Sequence, residues 1–192
     1  MNRIKRIICA VSLSAVIGFS SAACGAAGQS GGESVNVGKG RGSDEVIDTY
    51  IDSTLKGADA EAYVGLIPDE LFSYMSNDGE TAKSDFTAEM QEEFDEQTKT
   101  FDENADSWEV SYDILEEESA SEEDLADFIA ECEEKFGMNV TEKKDVTVEV
   151  EIEITIDGES QSDKTETVVT LIKEGDDWYL WGVDGMLFGD TM

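Results

Sequence analysis

The sequence predicts an α+β protein, in which helices from the N-terminal half of the domain pack on a curved antiparallel sheet. Residues 146–156 alternate strictly between Val or Ile and Thr or Glu, which is the period of a half-buried strand. Asp157-Gly158 favours a tight hairpin turn, and two further β-rich segments follow at 165–173 and 178–183. We therefore expect a three-stranded meander whose apolar face is covered by the preceding helical segments.

The first helical segments begin directly after a Gly-rich stretch. Residues 43–56 predict a helix, because Ser43 is a suitable N-cap and Gly57 a suitable C-terminal stop. A short helical segment is expected at 58–65. Pro68 then fits the first position of the next helix, and Asn77-Asp78-Gly79 predicts a turn.

The longest predicted helix spans residues 84–101, where Phe86, Met90 and Phe94 recur every four positions. Residues 108–115 alternate as a strand. The last predicted helix spans 121–136, with Ser119 or Ser121 as its cap and Gly137 as its end; its apolar stripe includes Cys132, which we interpret as a buried small apolar side chain.

The connection after residue 156 sets the register of the meander. A two-residue turn at Asp157-Gly158 pairs Ile156 with Glu159 and brings Gln161 and Thr165 onto the apolar face. Because those side chains are polar, we expect a longer loop at this position.

Residues 1–23 predict an export signal. Three cations, Arg3, Lys5 and Arg6, precede the apolar segment 7–19, which is too short to span a bilayer comfortably. Small residues then lead directly to Cys24 in the run Ser21-Ala22-Ala23-Cys24.

This run resembles the lipobox of bacterial lipoproteins. The resemblance implies that the Cys24 thiol receives a diacylglyceryl group and that Cys24 becomes the N-terminus of a protein anchored on the extracytoplasmic face of the cell membrane. Ser21 stands where the family usually has Leu, which leaves ordinary signal cleavage and secretion as the alternative. Residues 24–42, rich in Gly and Ser, are then a flexible tether with a reach of about 25 Å, and residues 43–192 a single domain.

The charge excludes one class of partner. The chain has 46 Asp+Glu, 13 Lys+Arg and no His, which gives a net charge of −33. Removing the three cations of residues 1–23 makes this −36. Such a surface repels nucleic-acid backbones, so we expect no nucleic-acid partner.

Metal and cofactor sites are not expected either. Asp102, Asn104 and Asp106 begin like a calcium loop, but Ser107 and Asp113 stand where that loop needs Gly and Glu. Glu149, Glu151 and Glu153 share one strand face, where neighbours are about 6.5 Å apart, too far to share a metal; we interpret them as solvent-facing charges that discourage edge pairing. The sequence has no P-loop, Rossmann fingerprint or CxxC.

Aromatic side chains supply the only candidate ligand-binding residues. Aromatic rings in a concave pocket can stack on sugars or flat ligands, but they also fill cores. The candidate pocket-lining residues are Tyr50, Trp108, Tyr112, Trp178 and Trp181, with Trp178 and Trp181 on opposite faces of the last strand.

The order of these elements resembles the cystatin-like fold of the nuclear transport factor 2 superfamily. The resemblance rests on residues 168–173, the Gly175 turn, Trp178-Tyr179-Leu180 and the strand–helix–strand run 108–150, and it covers about 43–183. It implies a curved sheet wrapped around helices with a cone-shaped pocket. Some members of that superfamily are dehydratases or isomerases that use a His–Asp or Tyr–Asp set, and this chain has no His.

Three hypotheses for function follow. The first is a lipid-anchored protein with a non-catalytic domain that binds a small molecule or another protein. The second is a pocketed enzyme that uses Asp, Glu or Tyr, and the third is a structural protein of the cell envelope. A polar cavity with an inward carboxylate favours the enzyme, whereas an apolar or filled cone favours binding or structure.

Overall fold

The computed structural model describes residues 40–75 and 79–187 and has the expected α+β architecture. The predicted signal peptide, Cys24 and the tether as far as residue 39 lie outside the described residues, as do Asn77 and Asp78. The helical elements are α1 (Ser43–Ile51), a π-helical turn (Asp52–Lys56), α2 (Ala60–Val64), α3 (Asp69–Met75), α4 (Gly79–Asn104) and α5 (Glu122–Phe136). The strands are β1 (Ser107–Ser119), β2 (Val140–Ile156), β3 (Glu159–Glu174), β4 (Asp177–Val183) and the two-residue β5 (Met186–Leu187).

The sheet is antiparallel, with the strands in the order β1-β2-β3-β4-β5. Each strand therefore lies beside the next one along the chain, and α5 forms the connection between β1 and β2. The predicted meander is confirmed, and the strand predicted at 108–115 joins it as the neighbour of β2. The predicted segments 108–115, 146–156 and 165–173 all continue further than the alternation indicated.

The longer loop expected after Ile156 is wrong. Asp157 and Gly158 form a two-residue turn with φ angles of 55° and 76°, and Ile156 pairs with Glu159. Positive φ at both positions matches the twist of the flanking strands. The polar residues brought onto the apolar side cause no conflict, because the first half of β3 extends beyond β4 and Thr165 is exposed to solvent.

The two faces of the sheet are distinguished by β2. We call the side of Val146, Val148, Val150, Ile152 and Ile154 the inner face, and the side of Thr147, Glu149, Glu151, Glu153 and Thr155 the outer face. All five inner side chains of β2 are buried. Helices from the N-terminal half cover this face: Phe101 of α4 stacks on Trp108 of β1 at 4.8 Å between ring centroids, and Val46 and Ile47 of α1 are buried.

The α5 helix packs on the outer face at the β3–β4 end of the sheet. Its Phe128 ring lies 5.4 Å from that of Trp181 and beneath the Lys143 ammonium group at 4.7 Å. Lys143 projects from the outer face, since it is the direct neighbour of Ile172, which is fully buried there. Ser121 caps α5 by accepting a hydrogen bond from the Asp124 N–H at 3.2 Å. Cys132, which was expected to be buried, is buried between α5 and the sheet.

The edge of the sheet at β4 is covered by segments from the N-terminal half. The N–H of Trp178 donates to the Arg41 carbonyl at 2.9 Å, and the N–H of Leu180 donates to the Leu66 carbonyl at 2.8 Å. The Arg41 guanidinium donates to the carbonyls of Trp178 and Gly65 at 2.9 and 2.8 Å. The chain therefore enters the domain along β4, two residues before α1 begins.

Candidate functional site

Two of the candidate aromatic residues, Tyr50 and Tyr112, take part in contacts between α1 and its neighbours. Tyr50 is a residue of α1, buried against Tyr63 with the ring centroids 6.3 Å apart. Tyr112 is on the inner face of β1 and donates a hydrogen bond from its hydroxyl to the Asp48 carboxylate. Both rings therefore hold α1 against its neighbours.

The three tryptophans lie in separate places. Trp108 stacks on Phe101 and donates from its indole N–H to the Asp102 carboxylate at 3.0 Å. Trp178 lies at the opposite end of the sheet, with the Lys144 ammonium 5.0 Å from its ring. Trp181 packs under α5. The structure thus gives Tyr50 and Tyr112 separate contacts with different partners, and distributes the three tryptophans among other contacts.

The interior of the described domain contains no charged side chain. Apart from the tyrosine hydroxyls and the Trp181 indole N–H, which is buried without a hydrogen-bond partner in the described structure, the buried polar side chains are those of Ser53, Thr54 and Thr170. The hydroxyls of Ser53 and Thr54 donate to the Tyr50 carbonyl at 3.2 and 2.6 Å, and that of Thr170 donates to Asp145 at 2.6 Å. Thr170 lies on the outer face, opposite Asp145, so the buried side chains between the helices and the inner face are apolar apart from Ser53, Thr54 and the tyrosine hydroxyls.

Two tyrosines lie near carboxylates and bear on the enzyme hypothesis. Burial first, and then the charge of Asp184, raises the pKa of Tyr50. Burial also raises the pKa of Tyr63, with a further rise from Tyr50 and Glu93. Asp184 itself is exposed and accepts hydrogen bonds from the Thr167 hydroxyl and the Val168 N–H, each at 2.9 Å. Both tyrosines hold their protons tightly, which is the reverse of what a general base requires.

The residues that resemble the start of a calcium loop have other partners. Asp102 accepts from the Trp108 indole, and the Asn104 amide donates to the Thr100 carbonyl at 2.8 Å. Asp106 accepts from the Gly158 N–H at 3.4 Å and so links the start of β1 to the β2–β3 turn. Across residues 40–75 and 79–187, no group of three or more His, Cys, Asp and Glu side chains is arranged to hold a metal ion.

The outer face of β1, β2 and β3 forms the most distinctive surface of the described domain. Glu109 of β1 lies directly opposite Glu153 of β2. Four residues further along β1, Asp113 lies opposite Glu149, which in turn lies opposite Glu166 of β3. Like charges placed directly across a sheet destabilise it, so this arrangement lowers stability rather than adding to it.

One cation lies within this acidic surface. The Lys164 ammonium forms an ion pair with Glu149 and lies 3.6 Å from Glu151. These pairs are exposed and hence weak, and Glu109, Asp113 and Glu153 lie outside them. We call Glu109, Asp113, Glu149, Glu151, Glu153 and Glu166 the acidic face.

Reasoning from the sequence missed part of this surface. The glutamates of β2 were recognised from their alternation. Their opposition to Glu109, Asp113 and Glu166 depends on strand register, which the expected longer loop obscured. The contacts of Arg41 with β4 were also missed, because they join segments more than 100 residues apart and leave no local signal in the sequence.

Comparisons with protein-family models, with curated proteins and with solved structures gave no match for this chain. No helix in the described ranges is long and apolar enough to cross a bilayer.

Proposed function

We propose that this chain is a lipid-anchored extracytoplasmic protein whose α+β domain binds a partner without catalysing a reaction. The lipid anchor is supported by the position of Cys24, which follows Ala22-Ala23, a short apolar segment and a positively charged start. A protein with a net charge of −36 after signal removal is repelled by an anionic membrane surface, so stable attachment requires covalent lipid.

The packing of the domain supports the non-catalytic part of the proposal. Acid–base catalysis needs a side chain with a suitably shifted pKa next to the reacting group, and such shifts come from burial near other charges. In the described interior the ionisable groups with the strongest burial are Tyr50, Tyr63 and Cys132, and burial raises the pKa of each. Each remains neutral near pH 7 and is packed as part of the core.

The anchor is tested by expressing the full chain in a bacterium together with Cys24→Ser and the matched control Cys9→Ser. We expect the wild type and Cys9→Ser in the membrane fraction and soluble only in detergent, with a diacylglyceryl group on Cys24 by mass spectrometry of the N-terminal peptide. Cys24→Ser should give an unprocessed precursor or a secreted form. An unmodified Cys24, or an N-terminus downstream of it in membrane-associated protein, would overturn the proposal.

The binding role is tested on the folded part of the chain. A ligand that binds only the native state raises the melting temperature by mass action. We expect a thermal-shift screen of residues 40–192 against small molecules and peptides to give a saturable shift without turnover of the ligand. Consumption of a compound with multiple turnovers would instead establish an enzyme.

A further inference from the structure

The two edges of the sheet differ in how they are covered. At β4, the carbonyls of Arg41 and Leu66 accept backbone hydrogen bonds from the strand, and the short strand β5 pairs with its C-terminal end. At the other edge, β1 pairs with β2 alone, and no backbone hydrogen bond from another described segment reaches Ser107–Ser119 on its open side. On that side, the backbone donors and acceptors of β1 therefore have no backbone partner among the described segments.

The side chains along β1 define what fits beside it. On the inner face, Ile114 is 38% exposed at the open edge, although Val148, its direct neighbour on β2, is fully buried. On the outer face, Glu109 and Asp113 are exposed and already lie opposite acidic residues of β2. A strand added at this edge would place apolar groups against Ile114 and its inner neighbours, and cations against Glu109 and Asp113.

We propose that the open edge of β1 binds an extended segment of another protein in which apolar residues alternate with Lys or Arg. This specifies the partner of the binding domain proposed above and rests on that function. Main-chain hydrogen bonds would supply affinity, as in other cases of strand addition, and the alternating side chains would supply specificity. The cations would relieve the repulsion between the opposed carboxylates of β1 and β2.

A second copy of this chain fits the same edge poorly. Antiparallel pairing of β1 with itself sets acidic side chains against acidic side chains, and three consecutive glutamates at 116–118 add to the repulsion. The first half of β3 also has an open edge, but its inner-face residues there are Gln161, Asp163, Thr165 and Thr167, so it offers an added strand no apolar contact.

The length of the binding segment follows from the bulge in β1. The register shifts between Ile114 and Glu116, so the regular part of the edge is residues 107–114. A bulge ends regular pairing because it bends the strand and misaligns its backbone groups. An eight-residue partner therefore matches the available edge.

The test uses three acetylated, amidated eight-residue peptides against the purified full-length protein in detergent, by calorimetry and by amide exchange. Lys alternates with Val in the first, with Gly in the second, and Glu replaces Lys in the third. We expect the Lys/Val peptide to bind, to slow exchange of β1 amides that face away from β2, and to weaken as salt rises. Equal binding of the Lys/Gly peptide, which has the same charge but poor strand propensity, would reduce the effect to unspecific attraction and overturn the proposal.

Variants of the protein locate the site. Asp113→Lys and Ile114→Lys should each weaken Lys/Val binding about tenfold, because one removes the opposing charge and the other places a cation on the apolar side of the edge. Glu92→Lys makes the same charge change as Asp113→Lys at an exposed position of α4; it is the matched control for that variant and should change affinity little. Equal losses in all three variants, or dimerisation of the free protein through β1, would contradict the assignment. A chain that is lipid-anchored but fails these peptide tests would lose only this assignment.

Discussion

The hydroxyl group of Tyr112 shows how single residues tie the helices to the sheet. It donates to the Asp48 carboxylate, and Asp48 lies on the same side of the first helical segment as Asp44 and Asp52. Burial first, then this hydrogen bond and the three carboxylates, raises the pKa of Tyr112 from 10.0 to about 12. The acidic residues of α1 therefore favour the neutral form of the ring that holds α1 to β1.

This contact predicts a loss of stability at alkaline pH. The folded state keeps the Tyr112 proton above pH 10, where the unfolded state releases it, so its contribution is complete below about pH 10 and is lost as the pH rises toward about 12. The raised pKa values of Tyr50 and Tyr63 act in the same direction. Urea unfolding at about pH 9 and about pH 11 should show the decrease, and Tyr112→Phe should lower stability at about pH 9 while reducing the pH-dependent loss. An unchanged pH dependence in the variant would contradict this.

Among the secondary-structure elements, the β2–β3 hairpin depends most directly on its turn. Gly158 has φ 76°, a conformation that costs other residues energy because of their Cβ. We expect Gly158→Ala to lower the free energy of unfolding by about 1 kcal/mol. Gly158→Asn is the matched control, since Asn adopts positive φ at a lower cost than Ala does. Equal urea midpoints for the two variants would argue against the turn.

The opposed carboxylates of the acidic face are expected to lower the stability of the sheet. Replacing Glu153 with Lys changes the direct cross-strand pair with Glu109 from repulsive to attractive. Glu153→Lys should therefore raise the free energy of unfolding by about 1 kcal/mol at low salt, and the gain should shrink as salt screens the charges. Glu92→Lys, which makes the same change in net charge on α4, separates this local effect from the general reduction in negative charge. A larger gain in Glu92→Lys would refute the local explanation.

At the scale of the whole molecule, the described domain begins before its first helix. Gly40 approaches the β3–β4 turn so closely that a Cβ would lie 1.8 Å from the Asp176 carbonyl oxygen. Arg41 then accepts the Trp178 N–H, donates through its own N–H to Asp177 at 2.6 Å, and places its guanidinium 4.7 Å over the Tyr179 ring. Residues 40–41 thus fasten the N-terminal end of the domain to the edge of the sheet opposite β1.

Truncation tests this assignment. A chain that begins at Ser43 lacks the Arg41 contacts and leaves the backbone N–H of Trp178 without its acceptor. It should be less stable than a chain that begins at Lys39 by on the order of 2 kcal/mol, measured by urea unfolding. Arg41→Lys in the longer chain should recover only part of this difference, because an ammonium group does not reproduce the two directed guanidinium bonds. Equal stability of the two truncations would place Arg41 outside the cooperative unit.

Local pattern predicted most of the elements. The strict alternation of residues 146–156 predicted which side of β2 faces the core. The spacing of Phe86, Met90 and Phe94 did the same for α4, and all three side chains are buried as expected. The cap at Ser121 and the stop at Gly137 were also predicted, since capping depends on a few adjacent residues. Predicted ends were less accurate: α4 spans Gly79–Asn104 rather than 84–101, because no Gly or Pro interrupts the added residues.

The candidate site was predicted less well for a physical reason. The negative charge of β2 can be read from the sequence of that strand alone. The cross-strand pairs Glu109–Glu153 and Asp113–Glu149, however, form only when two distant segments pair in the correct register. The distribution of the five aromatic residues is likewise a property of packing, because each of the elements that carry them is compatible with several neighbours. Tyr50, Trp108 and Trp181 therefore could not be assigned to particular contacts from sequence periodicity.

The amino-acid sequence by itself determined the α+β class, the alternation of the strands, the two ends of α5 and the strong negative charge, because each depends on residue type and on neighbours a few positions away. The cap of α1 was predicted wrongly: Gly42 rather than Ser43 occupies the N-cap position. Tertiary structure alone decided that Asp157-Gly158 closes a two-residue turn, that Arg41 belongs to the domain, and that β1 keeps an open edge beside the acidic face. Each of these three features depends on which surfaces remain uncovered after packing. The two-residue turn, for example, is possible because the first half of β3 is exposed, so its polar residues can lie on the inner side of the sheet.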